Sequence, residues 1–89
     1  MYSIPESKRT QGLYEESITG FERIAEDYLD ELKPYLEMID ILIRNLKDAA
    51  RAEVIYQHGM SLLKSEKDKA VLAGMYTAIR SRLNAKPSN

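Results

Sequence analysis

Few side chains in this 89-residue sequence could do chemistry, and their spacing restricts them further. His58 is the only histidine, hence the only side chain whose ordinary pKa lies near neutrality, and there is no cysteine. Nucleophilic catalysis needs a serine or lysine activated by a neighbouring base. His58 stands next to Gly59 at a possible helix end, where an exposed cap or surface role is expected of it. A carboxylate-bridged metal pair in a helical bundle needs Glu-x-x-His on facing helices. Here the nearest acid before His58 is Glu53, five residues back and on a different face. Glu22 with Glu26, and Asp27 with Glu31, stack at i,i+4, a pattern that a solvated acidic face explains better than a cation site. Gly12, Gly20, Gly59 and Gly74 are scattered and make no phosphate-cradling loop. The expectation is a noncatalytic protein with no metal and no cofactor.

Two other sets of residues invite a binding role. The six tyrosines and one phenylalanine could stack on bases, but Tyr14, Phe21, Tyr28, Tyr35 and Tyr56 fall on a heptad seam, where core packing accounts for them. The end of the chain offers Thr77, Arg80, Arg82 and Lys86, residue types that contact bases and phosphates. They define the alternative reading, a DNA- or RNA-binding regulator using the last helix. Charge distribution opposes it. Net charge is -1, and residues 15–40 hold nine acids against two bases, whereas residues 41–89 hold nine bases against four acids. Opposite halves favour folding one on the other, or pairing between subunits.

The elements that position these groups follow from apolar periodicity. Residues 1–12 are polar, contain Pro5 and Gly12, and read as an N-terminal arm; residues 13–85 read as one helical domain and 86–89 as a tail. From Tyr14, the residues Ile18, Phe21, Ala25, Tyr28 and Leu32 follow at alternating steps of four and three. The same steps lead on through Tyr35, Ile39, Leu42, Leu46 and Ala49. Leu29, Leu36 and Ile43 widen this stripe from a and d to a, d and e, which calls for more than one neighbouring helix. Glu53 interrupts the seam before it resumes at Tyr56, Met60 and Leu63, and a basic residue of the last helix is its expected mate.

An all-α fold follows, in one of two forms. Pro34 is well tolerated in the first turn of a new helix and costs about 3 kcal/mol or more inside one. Helices near 14–32, 34–59 and 66–84 would make a three-helix bundle. A single helix from about 13 to 60, kinked at Pro34 and about 70 Å long, would make a dimeric hairpin with the last helix folded back. The heptad phase crosses Pro34 unbroken, and Asp30–Lys33 contain no Gly, Asn or Ser to reverse the chain, which favours the kinked helix and a homodimer. Ser65 to Asp68 reads as a capping box opening the last helix, where Leu72, Met75, Tyr76, Ile79 and Leu83 share a face.

The functional expectation is a protein-protein interaction module, such as an adaptor, small chaperone, inhibitor or assembly subunit, that pairs with itself or with a partner's helix. Its anchors would be Tyr28, Leu29, Leu32, Tyr35 and Leu36, continuing through Ile39, Leu42, Ile43 and Leu46, with Glu53 setting specificity. No apolar run reaches the roughly 20 residues that span a bilayer, and the start lacks the layout of a signal peptide. A cytoplasmic protein with no membrane role is expected.

Overall fold

The computed structural model describes residues 2–84. The described residues are all-α, with no strand among them: α1 (Ser3–Thr10), α2 (Tyr14–Asp27), α3 (Lys33–Asp40) continuing as a π-helical turn (Ile41–Asn45), α4 (Ala49–Leu62) and α5 (Glu66–Asn84). The long kinked helix is not formed. Tyr28 leaves α2 with a non-helical backbone (φ -133, ψ 75), and Pro34 lies in the first turn of α3. The reversal needs no Gly or Asn because no residue in it has to adopt positive φ. A second break, absent from both sequence-based architectures, separates α3 from α4. Lys47 takes φ 55, and the Asp48 side chain accepts a hydrogen bond from the Arg51 amide as an N-cap.

The polar start is a helix rather than an arm. Gly12 (φ 82) closes α1 in a Schellman motif, with the Leu13 amide donating to the Lys8 carbonyl (2.9 Å) and the Gly12 amide to that of Arg9 (3.0 Å). α1 then lies against α2. Pro5 is buried over Gly20, whose missing side chain makes room for it, and the Ser17 hydroxyl donates to the Pro5 carbonyl at 2.7 Å. Arg9 reaches on to α3, where its guanidinium donates to Glu37 (2.6 Å) and to Asp40. Lys33 pairs with Glu6 (2.7 Å) and lies over the Tyr2 ring.

α3 is the central element and packs against α2, α4 and α5. Tyr35, Met38, Ile39, Ile41, Leu42 and Ile43 are all buried, so its apolar surface extends beyond the a, d and e positions to more than half of the helix. Three consecutive buried residues, Ile41 to Ile43, span about 200° of an ordinary helix. Here the backbone widens, and the Leu46 amide donates to the Ile41 carbonyl at 3.0 Å, five residues back.

α4 approaches closely through small residues. Ala52 and Gly59 are buried, and Gly59 lies inside the helix rather than capping it. Ser65 accepts from the Asp68 amide at 3.2 Å, as expected of a helix start. On α5, Leu72, Tyr76 and Ile79 are buried and Met75 is half-buried, as the shared face requires; the side chain of Leu83 and the tail from residue 85 lie outside the described residues. The molecule is 45 × 33 × 18 Å, a slab about two helices thick. No described helix is long and apolar enough to cross a membrane.

Candidate interaction surface

The anchors expected to await a partner are largely used by the chain itself. Tyr35, Ile39, Leu42 and Ile43 are at most 3% exposed, and Leu32, Leu36 and Leu46 are half-buried against the same core. The reason is the width of the stripe: α2, α4 and α5 cover it within one molecule. Only Tyr28 (51%) and Leu29 (49%) of the nine stand well exposed, where the chain has left α2.

What remains open is a groove. α2 and α4 both pack on α3, yet no α-carbon of one comes within 8 Å of the other. Two hollows of about 300 Å³ and 170 Å³ lie between them and share Glu22 and Ile55. Their floor is Ala25, Tyr35, Met38 and Leu42, and Leu29, Val54 and Leu62 contribute apolar walls. Val54 is 64% exposed. An ion pair bridges the two helices: Arg51 on α4 donates to Glu15 on α2 at 2.8 Å, and this holds the Glu15 carboxyl below its ordinary pKa. Further along α2, Glu22 and Glu26 line the groove, exposed and without an ion pair among the described residues. His58 is exposed on the α4 wall, in the body of the helix.

The heptad steps do not mark Val54 and Ile55 as groove residues, because they run through the break at residues 46–48. The N-cap at Asp48 is the signal that α4 begins afresh.

Glu53 finds its mate within the chain. Its carboxylate accepts from Gln57 (2.8 Å) and from the Tyr76 hydroxyl, and Arg80 stands 3.7 Å away on α5. Hydrogen bonds from Gln57 and Tyr76 lower the Glu53 pKa, while burial and then Glu53 raise that of Tyr76. Tyr56 stacks on the Tyr76 ring, 4.1 Å between centroids, and completes a clasp between α4 and α5. Arg80 also donates to the Tyr76 hydroxyl at 2.7 Å, so one of the bases expected to meet phosphate is turned to an internal use. Thr77 and Arg82 are exposed, and Lys86 lies outside the described residues.

No group of acids, histidines or cysteines able to hold a metal occurs among the described residues. No family model, curated protein or solved structure matches the chain.

Proposed function

We propose that the protein is a noncatalytic interaction module that receives an amphipathic helix of a partner protein in the groove between α2 and α4. The observation that carries this reading is the separation of those helices over an apolar floor, with Leu29 and Val54 exposed along the edges. A helix seated there would exchange exposed apolar area for contact with the walls. Glu22 and Glu26 favour a partner with basic residues beside its apolar stripe. An adaptor, inhibitor, small chaperone or assembly subunit would each use the site in this way. The same reading assigns the protein to the cytoplasm, which the lack of cysteine suits.

The homodimer is not retained as the leading form, because the long kinked helix that motivated it is not formed and its seam is largely covered within one molecule. The nucleic-acid reading is weakened by the engagement of Arg80 with Tyr76 and Glu53.

A photo-crosslinking residue placed at Val54, at Leu29 and, as a control, at Thr19 on the exposed part of α2 tests the proposal in the cells that make the protein. One adduct of defined mass is expected at the first two positions and not at Thr19. The adduct formed from position 29 should disappear when Val54→Asp is added, a change that should leave the melting temperature unaltered because the Val54 side chain is exposed. Equal labelling at all three sites, or an adduct of twice the chain's mass, overturns the proposal.

A further inference from the structure

A different groove lies between α3 and α5, and one end of it is cationic. A hollow of about 420 Å³ has Leu36, Met75 and Ala78 along it and Val71, 45% exposed, at its edge; Glu37 and Asp40 also line it, but both accept from the Arg9 guanidinium, and Asp40 pairs with Arg44 as well. It runs into a smaller hollow of about 200 Å³, with which it shares Arg44, Ile79 and Arg82. Three cationic side chains, Arg44, Lys47 and Arg82, surround that end over Ile43 and Ile79.

The cations are unequally engaged. Arg44 pairs with Asp40 at 2.7 Å, whereas Lys47 and Arg82 make no ion pair among the described residues. Lys47 is held in place by its backbone: it takes φ 55 between two hydrogen bonds, Leu46 amide to Ile41 carbonyl (3.0 Å) and Asp48 amide to Leu42 carbonyl (2.7 Å). Like charges gathered at one apolar hollow repel each other, and the low-polarity floor strengthens the attraction of any anion that enters.

We infer that the groove between α3 and α5 is a second binding site that takes an acidic amphipathic peptide segment, with an apolar side chain between Leu36 and Met75 and a carboxylate beside Lys47 and Arg82. The elongated apolar hollow decides for a peptide over a nucleic acid, since a duplex presents a line of phosphates and no apolar side chain to fill it. The site is independent of the groove between α2 and α4 and shares no residue with it.

The test titrates the full chain with a fluorescein-labelled peptide that carries leucines at i,i+4 spacing flanked by glutamates. The same peptide with lysines for glutamates, and a mixed-sequence DNA duplex, serve as comparison probes. Saturable binding of the glutamate peptide is expected, with amide shifts at Leu36, Met75 and Ala78. The pair Lys47→Asn and Arg82→Gln should weaken it about tenfold or more. Asn accepts positive φ and both side chains are exposed, so the fold should be kept, as an unchanged melting temperature would verify. The inference is overturned if the glutamate peptide does not saturate, if the double variant binds it unchanged, or if the lysine peptide shifts the same amides. Tighter binding of the duplex, lost in the same variant, would assign the surface to nucleic acid instead. Shifts at Leu29 and Val54 alone would move the peptide to the other groove.

Discussion

Gly59 of α4 lies so close to Leu72 of α5 that a Cβ added to the glycine would come within 2.8 Å of the leucine Cδ2. The Tyr35 ring meets the same point from α3 at 3.0 Å, so this glycine is where three helices converge. Leu72 and Tyr35 are 0% and 3% exposed and have little room to yield. Alanine in a helix interior gains about 1 kcal/mol over glycine, but overpacking costs about 1–3 kcal/mol. Gly59→Ala is expected to lose about 1 kcal/mol in urea unfolding. Gly74→Ala is the control, since nothing lies within 4 Å of its added Cβ. It should gain about 0.5–1 kcal/mol.

Arg9 ties α1 to α3 across 28 to 31 residues of sequence, with about a quarter of its side chain exposed. Burial alone would lower its pKa, and the hydrogen bonds to Asp40 and Glu37 outweigh that and raise it. Arg9→Met keeps the aliphatic stem and removes the charge. It leaves Glu37 and Asp40 without that guanidinium, and a loss of about 1–2 kcal/mol is expected after allowance for partial exposure. Thermal unfolding in low and high salt checks it: the gap between wild type and variant should narrow as salt rises.

The clasp at Glu53 predicts an acid limb. Because its folded pKa lies below the ordinary 4.5, the stabilisation is complete above that value and is lost as pH falls through the folded pKa. Glu15, lowered by Arg51, contributes with the same sign. Glu53→Gln should therefore lose stability at pH 7 and show a flatter decline below pH 4.5. Urea midpoints measured from neutral pH downward would show whether the two curves converge.

An alkaline limb is expected at α1. Burial and the hydrogen bond from the Tyr2 hydroxyl to Glu31 (2.9 Å) push the Tyr2 pKa up to about 12. A raised pKa gives stabilisation that is complete below the ordinary value of 10.0 and is lost as pH rises through 12. Ultraviolet titration of the phenols should show a late-ionising group that is missing in Tyr2→Phe. If the phenol lost in Tyr2→Phe is one that ionises near 10.0, Tyr2 is not that group.

The all-helical class, the opening of the last helix at Ser65 and a basic mate for Glu53 could be read from the residues, since each depends on local pattern or charge sign. The break at residues 46–48 could not be read from periodicity, because the heptad phase runs through it and only Asp48 marks a new start. α1 carried signals that its polar composition outweighed: Pro5 in the first turn, Lys8 and Arg9 in the last, and Gly12 beyond the end. The candidate site was less legible than the fold. A broad stripe states how much apolar surface must be covered, not whether the chain's own helices or a partner's will cover it. The exposed edges at Leu29, Val54 and Val71 are set by how far apart the covering helices come to lie.

The apolar face of α3 is covered by α2, α4 and α5, and that cover governs how the protein can come apart. α1 can peel from the slab while α3 stays covered by α2, α4 and α5. The backbone amides from Met38 to Ile43 can exchange with solvent only when the surrounding layers have also opened. Their opening free energy should thus equal that of global unfolding, making the middle of the chain the last region to yield and the common unit through which damage at either groove is felt.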